Sequence, residues 1–176
     1  MDEKTQSWRV GDLGLSQPAN KISKNNEIYG VIPYLAPEIF KRDGYSKAVD
    51  IYSMSMIMWE LTTGCKPFAN VEHDHKLIYE ITDGKRPKIT KDTPECFTDL
   101  MKRCWDSDPL KRPFILEICT ITGRWSSKEE GVEQFIQAEK ARLTLIRSER
   151  LGPKSTKKPY SKAVFTSRSF RFNPSH

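Results

Sequence analysis

Residues Ala48 to Gly64, AVDIYSMSMIMWELTTG, form the most apolar helix-length run of the chain, and a run of this kind dictates what must surround it. Ile51, Met54, Ile57, Met58 and Leu61 recur at three- and four-residue spacing, while Met56 and Trp59 place apolar bulk on the remaining faces. The pattern predicts a helix buried on nearly all sides. Asp50 falls in its first turn, where a carboxylate meets the positive end of the helix dipole, and Gly64 supplies the C-terminal stop. Met54, Met56 and Met58 read as core filling. A carboxylate at the head of a buried helix, as Asp50 is, calls for dedicated donors.

Around this helix the chain supplies others. Residues 1–47 carry little periodic structure: a short strand is expected at Trp8–Val10, a polar stretch runs to Asn26, and a short helix ends at Phe40. His73–Thr82 predicts an amphipathic helix with Leu77, Ile78 and Ile81 on one face, ended by Gly84 and Pro87. Pro94–Trp105 predicts another, with Phe97, Leu100, Met101 and Cys104 at helical spacing and Pro94 near its first turn. Asp108-Pro109 breaks it, and Pro113 opens a helix whose apolar positions are Phe114, Ile118 and Ile121, leading to Trp125. A last helix is expected from about Lys128 to Arg150, with Val132, Phe135, Ile136, Leu143 and Ile146 as a loose stripe. His73 and His75 stand two residues apart at a helix start and share no face, so they read as exposed capping residues and not as metal ligands.

Charge is divided along the chain. Residues 1–120 hold 17 Lys+Arg against 18 Asp+Glu, whereas residues 121–176 hold 12 against 5, so the formal charge of +6 belongs to the C-terminal part. From Leu151 onward six basic residues and no acidic one are mixed with Pro, Ser and Thr. This composition reads as a basic disordered tail over residues 151–176. Nucleic acid is not expected as a partner of the whole, because the basicity is confined to that tail. No run approaches the ~18 apolar residues of a membrane span. Residues 1–10 do not resemble a cleaved signal peptide. Cys65, Cys96, Cys104 and Cys119 show no paired short spacing, which points to reduced thiols in the cytoplasm, with the nucleus as the alternative.

The order of Asp12-Leu13-Gly14, Ala36-Pro37-Glu38, Asp50-Ile51-Tyr52-Ser53 with Trp59-Glu60, Gly84-Lys85-Arg86-Pro87, Cys104-Trp105 and Pro109 to Arg112-Pro113 resembles the C-terminal lobe of a protein kinase. It is most similar to the tyrosine-kinase-like group of serine/threonine kinases, through its Gly-x-Arg-Pro and Cys-Trp-x-x-x-Pro-x-x-Arg-Pro patterns. Each motif is weak alone, and six in order are specific. The implied fold class is mainly α: a helical kinase C-terminal lobe lacking the N-terminal β-lobe and catalytic loop. The implied organisation is a partial kinase domain over residues 1–125, a C-terminal helix over 126–150 and the tail over 151–176.

The resemblance also implies roles. Asp12 becomes the magnesium-binding carboxylate, with Leu13 in place of the usual Phe, and residues 12–38 become the activation segment, with Ser16, Ser23 and Tyr29 as candidate phosphosites beside Ala36, Pro37 and Glu38. Glu38 and Arg112 are expected to form a buried ion pair, and removing either partner would strand a charge at about 3–5 kcal/mol. Asp50, Trp59, Glu60 and Trp105 complete the structural set. Gly30-Val31 departs from the Gly-Thr of serine/threonine kinases, which removes a hydroxyl that would reach toward the catalytic loop. No Gly-rich loop, phosphate-binding lysine or His-Arg-Asp catalytic loop lies within the 176 residues. The family's cofactors, ATP and magnesium, are therefore not expected to bind the fragment well, and no phosphate transfer is expected from it. The alternative is a non-catalytic scaffold. Expected partners are a protein substrate, the missing kinase half, or another protein covering the face that half would cover, where part of the central helix and Asp50 should stand exposed.

Overall fold

A computed structural model of the chain describes residues 27–150, 152 and 160–171. The fold is mainly helical. In order come strand β1 (Glu27–Gly30), a 3₁₀ turn (Ile32–Tyr34), α1 (Pro37–Lys41), α2 (Lys47–Thr63), α3 (His75–Thr82), α4 (Glu95–Cys104), a second 3₁₀ turn (Pro109–Lys111), α5 (Ile115–Ser126), α6 (Val132–Arg147) and strand β2 (Arg168–Arg171). The strand expected at Trp8–Val10 lies outside the described residues. Among the described residues no helix is long and apolar enough to cross a membrane.

Helix α2 is the axis of the core. It lies against α4 and against both 3₁₀ turns, while α1 lies against α3. Val49, Ile51, Tyr52, Met56, Met58 and Trp59 are buried in one cluster with Phe40, Leu77, Ile78, Ile81, Leu100, Met101 and Cys104. Gly64 ends α2 at φ 66°, a left-handed conformation natural for glycine, and its N–H donates to the Glu60 carbonyl at 2.8 Å. Helix α3 starts two residues later than its periodicity suggested, because Asp74 caps it: the Asp74 carboxylate accepts the Leu77 N–H at 3.1 Å.

The burial of α2 is incomplete along one line. Asp50, Ile57 and Leu61 are exposed and Met54 is half-buried, a spacing of four, three and four residues that keeps them on one face. Ile57 is 50% and Leu61 71% exposed, so the helix buries most of its surface and leaves a stripe bare.

Four expectations need correction. Phe114 does not join the core: it precedes α5 in extended conformation and stands exposed, so Ile118 alone of that helix is buried. The last helix starts at Val132, because Lys128 and Gly131 adopt positive φ and turn the chain first. Residues 160–171 are not a solvated stretch of tail. Strand β2 pairs antiparallel with β1, in register Glu27 with Arg171, Ile28 with Phe170, Tyr29 with Ser169 and Gly30 with Arg168. The cause is that Ala163, Val164 and Phe165 interrupt the polar run and β1 offers it unpaired backbone groups. Finally, His73 is not exposed. It is 3% accessible, and its ring lies within hydrogen-bonding reach of Val164, in the same C-terminal segment. A capping reading fits its neighbour Asp74 and fails for His73, because the segment that covers it is remote in sequence.

Candidate functional site

Glu38, in the first turn of α1, and Arg112, just after the second 3₁₀ turn, meet in the interior. Arg112 Nη1 donates to Glu38 Oε1 at 2.6 Å and Nη2 to Oε2 at 2.8 Å, the two-pronged geometry that matches guanidinium to carboxylate. Two further donors are also placed. Nη1 reaches the Ala48 carbonyl at 2.8 Å and Nε the Asp106 carbonyl at 2.9 Å. Side-chain exposure is 0% for Arg112 and 7% for Glu38, so the pair works without water. A buried guanidinium whose donors are used on four acceptors fixes three segments at once: α1, the start of α2 and the turn after α4.

Tyr52 lies against this pair. The Arg112 guanidinium sits 5.2 Å from the centre of its ring and that of Arg86 5.0 Å from it, two cation–π contacts on one buried ring. Arg86 in turn donates from Nε to the Trp105 carbonyl at 2.9 Å, from Nη1 to Ile81 and Lys85 carbonyls at 2.9 and 2.8 Å, and from Nη2 to Ser107 Oγ at 3.1 Å. The Gly-x-Arg-Pro motif is thereby tied to the Cys-Trp motif. Burial lowers the Arg86 pKa and pushes the Tyr52 phenol up to about 12, outweighing the two guanidiniums that pull the phenol down. The Tyr52 hydroxyl is buried and finds no hydrogen-bond partner among the described residues. Sequence reasoning named Arg86 only as part of a motif and gave Tyr52 no contact, because neither partner is local.

The other structural residues also converge on α2. Trp59 Nε1 donates to the Lys88 carbonyl at 2.9 Å. Tyr34 Oη donates to Glu60 Oε2 at 2.5 Å, and Ser53 Oγ to the Tyr34 carbonyl at 2.7 Å, which ties the residues before Ala36-Pro37-Glu38 to the central helix. Burial first, then the Glu60 carboxylate, raises the Tyr34 pKa. Asp50 stands apart: it is exposed, with no hydrogen-bond partner for its carboxylate among the described residues. Tyr29 is exposed on β1. Asp12, Ser16 and Ser23 lie outside the described residues, and among those described no three His, Cys, Asp or Glu side chains come together to hold a metal ion.

This arrangement joins motifs from 74 residues apart in one buried ion pair. The family model for protein tyrosine and serine/threonine kinases matches residues 1–121. The chain belongs to the protein kinase family. Its curated relatives include the serine/threonine-protein kinase VIK of Arabidopsis thaliana, 37% identical over 118 residues, 62% of this chain and 26% of that kinase. Human mitogen-activated protein kinase kinase kinase 7 is 32% identical over 130 residues, 73% of this chain and 21% of that one. Among solved structures, a chain of the AtMLKL3 tetramer is 36% identical, with a TM-score of 0.47, over 50% of this chain and 17% of its own. The chain thus spans about a quarter or less of the kinases it matches.

Proposed function

We propose that this chain is the activation segment and helical C-terminal lobe of an ATP-dependent serine/threonine protein kinase, and that the 176-residue polypeptide by itself transfers no phosphate. The observation that carries this reading is the buried Glu38–Arg112 pair, which clamps Ala36-Pro37-Glu38 to the helical base. Such a clamp fixes the Ala36-Pro37-Glu38 end of residues 12–38 to the helical base, the anchorage an activation segment needs. Asp12 is assigned as the magnesium ligand and Ser16, Ser23 and Tyr29 as candidate phosphosites on family membership. In the family, ATP supplies the phosphoryl group and magnesium offsets its charge. Protein substrates follow from the same membership.

Two experiments test the reading. The purified 176-residue chain, incubated with ATP, magnesium and a generic protein substrate, is expected to give no transfer; transfer that Asp12→Ala abolishes would overturn the claim of inactivity. A chimera carrying the ATP-binding lobe and catalytic loop of a serine/threonine relative ahead of Trp8 is expected to transfer phosphate in an Asp12-dependent way. A folded but silent chimera would sink the kinase reading. The exposed line of Asp50, Ile57 and Leu61 favours a second reading, a non-catalytic scaffold whose partner covers that face. Recovery of a stoichiometric native partner that protects these residues, with a silent chimera, would select it.

A further inference from the structure

Residues 160–171 cross the molecule on a built track. Gly152 stands beside the end of α2 at φ 75°, a conformation natural for glycine, where an added Cβ would come 3.2 Å from the Thr63 carbonyl. Tyr160 then donates its N–H to the Ala69 carbonyl at 2.7 Å, and the Lys162 carbonyl accepts the His73 N–H at 3.3 Å. The buried His73 ring comes next. With its proton on Nε2 it donates to the Phe68 carbonyl at 3.2 Å, and Nδ1 accepts the Val164 N–H at 3.1 Å; with its proton on Nδ1 it donates to the Val164 carbonyl at 2.8 Å. Phe165 stands edge-on to the ring at 4.7 Å and beneath Lys66 Nζ at 4.8 Å. Arg168 Nη2 donates to the His73 carbonyl at 3.0 Å, and β2 continues onto β1.

Most of these contacts are made by main chain, which holds any extended polypeptide, while Phe165 and Arg168 add side-chain contacts to His73 and Lys162 an ion pair to Glu72 at 3.2 Å. A pair of four-residue strands is marginal by itself, so the hold on the segment rests on the contacts around His73, and losing them releases it without unfolding α2. We propose that residues 160–171 are an intramolecular strap seated in a peptide-docking track formed by Ala69, His73 and the edge of β1. An extended peptide with an aromatic residue and an arginine three positions later takes the same track when the strap leaves. On the reading of residues 12–38 as an activation segment, on which this consequence rests, the strap pins β1 of that segment until such a peptide displaces it.

Hydrogen exchange on the full chain tests the strap without any phosphate transfer, so a failed chimera leaves the outcome intact. In the wild type, the peptides covering 27–30 and 160–171 are expected to exchange slowly. Val164→Pro, which removes the N–H facing His73, should speed both at least tenfold while α2 keeps its protection. A labelled peptide of residues 158–173 should then bind the variant at least tenfold more tightly than the wild type, where it has to displace the strap. Fast exchange of both segments in the wild type, equally slow exchange in the variant, or equal peptide binding to the two would overturn the proposal. Should Val164→Pro also strip protection from α2, the decision passes to Tyr29→Cys with Ser169→Cys in the otherwise native chain. Mild oxidation should link 29 to 169 in most molecules, and their failure to link would overturn the strap.

Discussion

Tyr52 and the Glu38–Arg112 pair show how differently neighbouring buried groups can respond to substitution. Glu38→Gln leaves a dry guanidinium facing a neutral amide, and Arg112→Met leaves a dry carboxylate; each should lower stability by about 3–5 kcal/mol, read from denaturant midpoints. The double variant Glu38→Gln with Arg112→Met should lose less than the sum of the two, since the second change removes the charge that the first stranded. The Tyr52 hydroxyl is already unpaired, so Tyr52→Phe should be neutral or stabilise by about 1 kcal/mol, whereas Tyr52→Ala should cost about 3–5 kcal/mol by emptying the space between two guanidiniums. A large loss in Tyr52→Phe would mean the hydroxyl has a partner in solution. The ion pair was legible in the sequence because the resemblance to protein kinases, carried by the order of the motifs, implies that Glu38 and Arg112 pair. The unpaired hydroxyl was not, because it depends on what two arginines from distant segments leave for it.

At the scale of elements, helices with a clear period were legible: α2, α3 and α4 lie within two residues of where their apolar spacing put them. The β1–β2 pairing was not, since four-residue strands carry too little alternation to register and the partner lies at the far end of the chain. The strap's hold on His73 has a pH signature. Burial lowers the His73 pKa below its ordinary 6.5, opposed by the two carbonyls and Asp74 and assisted by Arg168. Once the strap leaves, the ring meets water and regains its ordinary affinity for protons. The closed form therefore binds fewer protons than the open one, and its advantage is complete above pH 6.5 and lost as pH falls below it. The protection factors of residues 27–30 and 160–171, which are exchange rates corrected for the intrinsic slowing of amide exchange in acid, should fall on acidification through this range, and the fall should vanish in His73→Gln. A wild-type profile flat from pH 7.5 to 5.5, by about the usual span of histidine titration, would contradict the assignment.

For the molecule as a whole, the bare stripe on α2 decides how the chain behaves alone. Large side chains left in water forgo about 1.5–3 kcal/mol each, and Ile57 and Leu61 do so on a helix whose other faces are packed. Leu110, Phe114 and Leu116 add exposed apolar surface near the second 3₁₀ turn, which touches α2. Exposed apolar surface of this kind drives association unless something covers it. The isolated chain should therefore bind an apolar dye and sediment as more than a monomer. Ile57→Gln with Leu61→Gln should reduce both effects while moving the unfolding midpoint by no more than about 0.5 kcal/mol equivalent, because nothing packed is lost. Met56→Ala, on the buried face of the same helix, should cost about 2–5 kcal/mol and leave dye binding by the folded chain in place. In the chimera with an ATP-binding lobe and catalytic loop, the stripe should be covered, so dye binding should fall and the two glutamines should now destabilise. If the glutamine pair were equally harmless in the chimera, the stripe would face water there too, and the partner covering it would have to be another protein.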